Sequence, residues 1–223
     1  ARAVRRALNI FQRCTDQLLS SSRCSILFSE NCPEPVREGI KEVLEVEISN
    51  FESKYLGLPT PEGRMKDENF QPISDKVGKR CNSWNERFMS YPAKEVHVKS
   101  VVQALPTFIM GVFLLSKGFC EKYERMIRDF WWGDEKDHRK VHWMSWERMT
   151  QPKRAGGIGF RDMHLFNLAL LARQAWRLIQ NPESLCARVL KSKYFPKGDL
   201  LDTVFSSDAS QVWRGIEHGL VLL

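Results

Sequence analysis

The chain has 223 residues, of which 43% are hydrophobic and 27% are charged. This composition is typical of a soluble globular protein with one or two domains, and it excludes a chain that is disordered throughout. The formal net charge of +7 and the isoelectric point of about 9.2 favour polyanionic partners, nucleic acid above all, without proving one.

The first 60 residues predict a small region of mixed helix and strand. Apolar residues at steps of three and four indicate one helix, and Pro35 suits the first turn of a second. Short β-branched and aromatic runs indicate strands. The predicted elements are helices over 3–19 and from Pro35, and strands over 25–29 and 51–58. A Pro/Gly cluster at 59–63 marks the first expected domain boundary, so the first domain is 1–60.

Three helices are predicted for a second domain at 61–132. They run from Asp67 to about Met89, from Ala93 towards Phe113, and from Gly118 to Trp132. The first has an apolar stripe at helical spacing, made by Phe70, Ile73, Val77, Cys81, Trp84 and Phe88. The second should kink near Pro106. The apolar run at 101–115 is shorter than the roughly 20 residues of a membrane-spanning helix, so no membrane partner is expected.

A charged loop at 133–140 marks the second boundary and leaves 133–223 as a third, helical domain. The stretch 130–177 holds five of the seven tryptophans. Because each indole can bury roughly 200 Å², this stretch is predicted to be a packing centre with its tryptophans in the core. Asp162 is expected to cap an apolar helix that is buried on nearly every side.

Two further helices are predicted near the end of the chain, over 183–195 and 207–218. The first should turn four side chains inward, Leu185, Val189, Leu190 and Tyr194, and the second is centred on Val212, Trp213 and Ile216. Taken together, the elements predict a mainly α fold of bundled helices, with a small α/β region at the N-terminal end.

Reacting groups are not arranged in any familiar pattern. The six cysteines lack Cys-x-x-Cys spacing, and we expect them to be reduced and mostly buried. His138 and His142 are four residues apart but lie in a polar loop without further metal ligands. The acidic residues of that loop do not match a calcium-binding loop, and phosphate-loop and nucleophile-elbow motifs are absent. No catalytic residue and no metal site is therefore expected in this chain.

Basic residues provide the candidate nucleic-acid contacts. They lie off the apolar stripes of two helical regions, and are Lys76, Lys79, Arg80, Arg87, Arg173, Arg177, Arg188, Lys191 and Lys193. Lys and Arg on one helix face can bind phosphates without regard to base sequence. The alternative is that these charges only solvate the outer face of each helix.

Seven short motifs follow one another along the chain. They are 54–60 (KYLGLPT), 94–101 (KEVHVKSV), 105–110 (LPTFIM), 130–133 (FWWG), 156–162 (GGIGFRD), 166–172 (FNLALLA) and 187–196 (ARVLKSKYFP). In this order, with His142, Trp143 and Trp146, they resemble the reverse transcriptase of plant non-LTR (LINE-type) retrotransposons. The resemblance covers the end of the palm, the thumb and the helical region that follows. The first 30 residues depart from the family pattern, as expected of a degenerate copy.

The resemblance implies a non-catalytic fragment of an RNA-directed DNA polymerase. The family enzyme holds Mg²⁺ with an Asp-Asp pair in the palm, which would lie upstream of Ala1, and no Asp-Asp dipeptide occurs in this chain. Two-metal chemistry needs such clustered carboxylates. The implied domains are the palm end at 1–60, the thumb at 61–132 and the downstream region at 133–223. A basic, thumb-like surface would bind the template–primer nucleic acid.

The implied partners are RNA or an RNA–DNA hybrid, together with the missing palm domain. The implied location is intracellular, with the nucleus as a candidate. Two alternatives stay open. The chain can be a structural or interaction remnant that binds no nucleic acid, or it can belong to an active reverse transcriptase whose palm is supplied upstream.

Overall fold

A computed structural model of the chain describes residues 1–20, 24–28, 31–47, 54–55, 57–59, 65–82, 88–133, 140–203, 205 and 209–223. These residues contain ten α-helices and two paired strands of two residues each, which confirms the prediction of a mainly α fold. The chain divides into two compact units, Ala1–Thr60 and Pro61–Leu223. The three-part division at residues 60 and 132 stays a prediction.

The helices of the first unit are α1 (Arg2–Thr15) and α2 (Glu34–Leu44). The helix predicted to reach residue 19 ends at Thr15, because Asp16 adopts a left-handed conformation with φ of 53°. As predicted, Pro35 lies in the first turn of α2. The guanidinium of Arg5 donates to the carbonyl oxygen of Leu44 at 3.1 Å and pairs with Glu45. This contact fastens α1 to the C-terminal end of α2.

A hairpin replaces the strand that was predicted over 51–58. Strands β1 (Lys54–Tyr55) and β2 (Leu58–Pro59) pair antiparallel, and Gly57 between them has φ of +82°, which favours glycine. Residues 51–53 and 56 lie outside the described part of the chain. The strand predicted over 25–29 is also wrong for residues 25–28, which form no β-ladder. Residue 29 lies outside the described part of the chain.

The second unit is built around its longest helix, α8. Its helices are α3 (Gln71–Asn82), α4 (Tyr91–Ser100), α5 (Thr107–Met110), α6 (Lys117–Trp132), α7 (Trp146–Thr150), α8 (Met163–Gln180), α9 (Leu185–Tyr194) and α10 (Gln211–Leu220). Short 3-10 turns occur at Asp67–Phe70, Val102–Ala104, Lys153–Ala155 and Leu200–Asp202. Helices α5, α6 and α10 pack on α8, while α3 and α4 pack on α6.

Side-chain caps set the start of several helices. A serine hydroxyl or an aspartate carboxylate accepts a backbone N–H of the first turn and so satisfies one of its unpaired donors. The capping residues are Ser116, Ser145, Asp162, Ser184 and Ser210. The cap predicted at Asp162 is confirmed, since its Oδ1 accepts the N–H of Leu165 at 2.8 Å.

Two predicted helices of this unit differ from the structure. The first is described as helix α3 over Gln71–Asn82, and Phe88, which was placed on its apolar stripe, lies in a turn and is 75% exposed. Trp84 and Arg87 lie outside the described residues. The helix expected from Ala93 towards Phe113 begins at Tyr91 and is broken into α4, a 3-10 turn and α5. The break precedes Pro106, whose ring disfavours a continuous helix.

One part of the core joins α3, α6 and the segment before α6. The ring of Phe70 lies 5.8 Å from that of Phe113 and 6.0 Å from that of Phe119. The hydroxyl of Tyr123 donates to the carbonyl oxygen of Val102 at 2.6 Å, and burial raises the pKa of this phenol. A tyrosine used in this way adds apolar area and also satisfies a buried carbonyl.

A second part of the core surrounds Trp213, which is 1% exposed. Three rings stack against its indole, those of Tyr194, Phe195 and Phe205, at 4.5, 5.6 and 5.1 Å. Ala175 and Leu178 of α8 belong to the same cluster. The predicted helix around Trp213 is confirmed as Gln211–Leu220, but its central place in the core was not predicted.

Candidate nucleic-acid interface

Two lysines of α4, the buried Lys94 and the partly buried Lys99, hold together the motifs at 94–101, 130–133 and 156–162. Lys94 is only 7% exposed, and its Nζ donates to the carbonyl oxygens of Phe130 and Trp131 at 3.0 and 3.3 Å. These carbonyls lie at the C-terminal end of α6, where a cation is favourable. Burial, followed by the charge of Lys140, lowers the pKa of Lys94. Lys94 thus ties α4 to the end of α6.

A second lysine of α4 holds the glycine-rich loop at 156–159. The Nζ of Lys99 donates to the carbonyl oxygen of Ile158 at 2.7 Å and pairs with Glu95 at 2.8 Å. Lys153 pairs with the same carboxylate at 2.6 Å. Hydrogen bonds from Lys153, and then from Lys99, lower the pKa of Glu95. The motif at 94–101 therefore supplies anchors for two other motifs.

The glycine-rich loop folds back over the end of α7. Gly156 and Gly159 have φ of +78° and +77°, a conformation that side chains disfavour. The N–H groups of Ile158, Gly159 and Phe160 converge on the carbonyl oxygen of Met149 at 3.1, 3.0 and 3.2 Å. The loop thereby delivers the ring of Phe160 to within 5.2 Å of that of Trp131. Three backbone N–H groups of this loop are therefore used in packing it against the end of α7.

A buried asparagine ties α8 to the segment that precedes α6. The Oδ1 of Asn167 accepts the N–H of Leu115 at 2.8 Å. Its Nδ2 donates to the carbonyl oxygens of Met110 and Phe113 at 2.7 and 3.0 Å. This role was not predicted, although a lone asparagine in an apolar helix is a signal of a buried polar anchor.

The prediction that all tryptophans of 130–177 are buried is wrong. Trp131 is buried, and Trp132 and Trp146 are partly buried. By contrast, Trp143 is 84% exposed and Trp176 is 51% exposed. Neither has a place in the core, because Trp143 lies in a turn before α7 and Trp176 lies on the outer face of α8.

The outer faces of α8 and α9 carry more apolar residues than expected. Helix α8 is not buried on nearly every side, since Leu165 is exposed as well as Trp176. On α9, the inward orientation predicted for Leu190 and Tyr194 is confirmed, since both are partly buried against the cluster around Trp213. Leu185 and Val189, predicted to point inward as well, are exposed. The spacing of apolar residues alone could not distinguish the buried face from the exposed face of α8 and α9, because both helices have apolar residues on more than one side.

Thiols, histidines and carboxylates do not assemble into a reactive site within the described residues. The cysteines form no disulfide; Cys81 and Cys120 are buried and the others are partly or fully exposed, so the expectation that most are buried is wrong. Burial raises the pKa of Cys120 to about 12, which makes it a poor nucleophile. His142 stacks on Trp132 at 5.7 Å, and His138 and the acidic loop at 134–137 lie outside the described residues.

Across the part of the chain that the structure describes, no three side chains of the His, Cys, Asp and Glu types converge on a point that could hold a metal ion. In the same residues, no helix combines the length and the apolar character that crossing a membrane requires.

An open groove of about 880 Å³ lies between α6, α7 and the first half of α8. Four carboxylates line it, those of Glu121, Glu124, Glu147 and Asp162, against the cations of Lys117 and Arg161. Glu124 accepts the N–H of Met163 at 2.7 Å. Burial raises the pKa of this carboxyl, and the charges of Asp162 and Glu121 add to the effect. Its acidic lining makes this groove unsuited to nucleic acid.

The substitution Glu124→Gln is expected to stabilise the protein near pH 7. Glutamine keeps the acceptor for Met163 and removes a charge that burial penalises, so we expect a gain of about 1 kcal/mol, or about 2–4 °C in Tm. The pKa of Glu124 in the folded protein lies above its ordinary value of 4.5. Below pH about 4.5 the carboxyl is protonated in both the folded and the unfolded protein, so the cost of burying its charge disappears. The stability gained by Glu124→Gln should therefore shrink to zero as the pH falls.

Thermal unfolding of both proteins between pH 4 and 8 measures this difference. Glu147→Gln is the matched control, because Glu147 is exposed and hydrogen bonds, first from its own backbone N–H, lower its pKa. The control should gain no stability. A Glu124→Gln variant that is less stable than the wild type at pH 7 would contradict the account.

The basic candidates lie on exposed faces of three helices. Lys76, Lys79 and Arg80 are exposed on α3, Arg173 and Arg177 on α8, and Arg188, Lys191 and Lys193 on α9; Arg87 lies outside the described residues. The cluster around Trp213 includes Leu178 of α8 and Ala187 of α9, so it joins the two helices that carry five of these cations. Neither α8 nor α9 contains an acidic residue.

A purely structural role is the competing explanation for these cations. Lys79 and Arg80, Arg177, and Lys191 and Lys193 lie in the last turns of α3, α8 and α9. Cations there offset the partial negative charge at a helix C-terminus. That effect stabilises each helix and needs no ligand. The position of the cations allows both roles, and a binding experiment distinguishes them.

Comparison with known proteins relates the chain to plant proteins. No family model matches it. The "Uncharacterized mitochondrial protein AtMg00310" of Arabidopsis thaliana is 40% identical over 121 residues, which are 54% of this chain and 79% of that protein. The chain therefore belongs to the same family as this mitochondrial protein.

A larger Arabidopsis relative, "Putative ribonuclease H protein At1g65750", is 30% identical over 166 residues. The aligned region is 73% of this chain but 27% of that protein. The chain thus spans about a quarter of the larger relative.

Proposed function

We propose that the chain is a retroelement-derived polypeptide, a non-catalytic part of an RNA-directed DNA polymerase, whose basic helices bind RNA or an RNA–DNA hybrid. The observation that carries this proposal is the exposed set of five cations on α8 and α9, two neighbouring helices without acidic residues. The seven motifs support the retroelement origin. The name of the larger relative, that of a ribonuclease, agrees with a role near RNA.

Binding of this kind works through phosphates. Lys and Arg side chains on exposed helix faces neutralise the backbone and release counterions, so affinity is insensitive to base sequence and falls as salt rises. Five phosphate contacts predict a slope of log K against log salt of about −4. Arginine also fixes the orientation of the contact, since its guanidinium can donate two hydrogen bonds to one phosphate.

The carboxylates of the described residues do not fit the two Mg²⁺ ions of a polymerase. No three His, Cys, Asp or Glu side chains among the described residues are placed to hold a metal ion. In the acidic groove, Glu124 accepts the N–H of Met163 and Asp162 accepts that of Leu165, so both carboxylates bond the first turn of α8. If the chain acts within an active polymerase, the proposal is that a palm elsewhere in the protein supplies the metal ligands.

A triple substitution tests the phosphate contacts. Arg173→Ala, Arg177→Ala and Lys191→Ala together should weaken binding to a 20-base-pair RNA–DNA hybrid more than tenfold at 0.1 M salt, and should make the salt slope shallower by about 3. Fluorescence anisotropy at several salt concentrations measures both quantities. All three side chains are exposed, so the fold should be unchanged.

The matched control removes three exposed cations from α6, with Lys117→Ala, Lys122→Ala and Arg125→Ala. It makes the same change in net charge and should lower affinity by less than about threefold. An equal loss in both variants would assign the binding to net charge alone. No binding by the folded wild type at about 50 mM salt would overturn the proposed function and favour a structural remnant.

A further inference from the structure

Trp176 is an exposed aromatic residue of α8 that lies beside two arginines of the same helix. Its side chain is 51% exposed, whereas Ala172, Ala175 and Leu178 beside it are buried. Among the described residues, no aromatic ring and no cation packs against the indole. The exposed part of the ring can therefore contact a ligand, and such contact is favourable because it removes apolar surface from water.

Arg173 is the neighbour of Trp176 on the surface of α8, and it lies between the indole and Arg177. Arg173 and Trp176 are three residues apart, and Arg173 and Arg177 are four apart, which are the spacings of neighbours on a helix surface, with Cβ atoms about 5–6 Å from each other. Both arginines are exposed. A base and its phosphate belong to the same nucleotide, so a base stacked on Trp176 would bring a phosphate within reach of a guanidinium.

We infer that Trp176 is a stacking residue for unpaired bases, and that the face formed by Arg173, Trp176 and Arg177 binds single-stranded RNA or DNA. The inference rests on the proposed function, since the arginines act there as phosphate ligands. Inside a duplex, neighbouring base pairs cover both faces of each base. Apart from the two ends of a duplex, an exposed indole can therefore stack only on a base that is unpaired, and such stacking does not depend on which base it is.

The charge around Trp176 argues against a protein partner as the occupant. An exposed tryptophan is also common at protein interfaces. Helix α8 has no acidic residue over its 18 positions, and two of its cations, Arg173 and Arg177, lie near Trp176. A protein partner would have to supply acidic groups for both arginines, whereas every nucleotide brings an anion and a ring together.

The test compares Trp176→Ala with wild type on three probes of equal length: a 12-nucleotide single-stranded RNA, a strand of 12 abasic deoxyribose phosphates, and a 12-base-pair RNA–DNA hybrid. Trp176→Ala should weaken binding to the RNA strand about 5- to 150-fold. Binding to the abasic strand and to the hybrid should change less than twofold. Trp176→Phe should keep most of the affinity for the RNA strand, because its ring can still stack.

Trp143→Ala is the matched control, since Trp143 is even more exposed but lies in a turn outside α8 and its arginines. It should leave all three affinities unchanged. The stacking role is wrong if Trp176→Ala binds the RNA strand as tightly as wild type does. It is also wrong if the variant loses as much affinity for the abasic strand as for the RNA strand. If, with either result, the triple cation variant still binds the RNA–DNA hybrid more weakly than wild type, the proposed function survives. If wild type binds no probe, both proposals fail.

Discussion

Replacing Gly157 with alanine is expected to destabilise the second unit by about 3 kcal/mol or more. An added Cβ would lie 2.0 Å from the carbonyl oxygen of Gln151 and 2.6 Å from that of Arg148. Both are backbone atoms, so no change of rotamer relieves the clash. The loop would have to move off the end of α7 and carry Phe160 away from Trp131. Urea and thermal unfolding measure the loss, which corresponds to about 6–12 °C in Tm.

Gly118→Ala is the control for this substitution. Gly118 lies in the first turn of α6, and an added Cβ there would meet no atom within 4 Å. Alanine is a better helix former than glycine, so stability should stay the same or rise by up to about 1 kcal/mol. If Gly157→Ala were as stable as Gly118→Ala, the close packing of the glycine-rich loop would be refuted.

Asn167→Leu is expected to cost about 3–5 kcal/mol, although leucine suits a helix and has a similar size. The side chain of Asn167 is fully buried and bonds the N–H of Leu115 and two carbonyl groups. Leucine would leave these backbone groups without partners, and each unsatisfied buried group costs about 1–3 kcal/mol. The segment that joins α5 to α6 should loosen first, which amide hydrogen exchange at Leu115 would detect.

Asn181→Ala provides the comparison on the same helix. Asn181 follows α8 at its C-terminal end, is exposed and donates a long side-chain hydrogen bond of 3.4 Å to the carbonyl oxygen of Arg177. Its replacement should change the free energy of unfolding by less than about 0.5 kcal/mol. Similar losses for the two asparagines would show that the network around Asn167 contributes little.

Much of the helical fold could be predicted from local signals. Apolar spacing predicted α6 almost to its ends, Pro35 predicted the start of α2, and Asp162 predicted the start of α8. Such signals are local because the period of a helix and the chemistry of a cap involve residues a few positions apart. The strands near residues 25 and 51 were less predictable, since β structure depends on a pairing partner.

The roles of Lys94, Lys99 and Asn167 could not be predicted, because each side chain bonds residues that lie far away in the sequence. In the sequence, Lys94 and Lys99 have the pattern of ordinary surface lysines of a helix, and only the placement of α6 and the glycine-rich loop beside them shows their role. The exposure of Trp176 was missed for the opposite reason. A tryptophan in an apolar helix predicts burial, and only the packing of α10 and α9 on α8 shows which side is left outside.

The cations of the candidate interface are exposed on α3, α8 and α9, and their role as phosphate contacts stays a prediction. Cations that bind phosphate and cations that only stabilise a helix end have the same spacing and the same exposure. The acidic groove lined by α6, α7 and α8 shows that charge is not spread evenly over the second unit, and this unevenness allows the surfaces to be compared in one experiment.

Lysine footprinting with an RNA–DNA hybrid tests the account most directly, because it reports every exposed lysine at once. The protein is acetylated briefly with and without the hybrid at about 50 mM salt, and mass spectrometry measures modification at each site. The account predicts protection at the lysines of α9, which are Lys191 and Lys193, and none at Lys117 and Lys122 of α6. Equal protection of both sets, or bound hybrid with the first set fully modified, would contradict it.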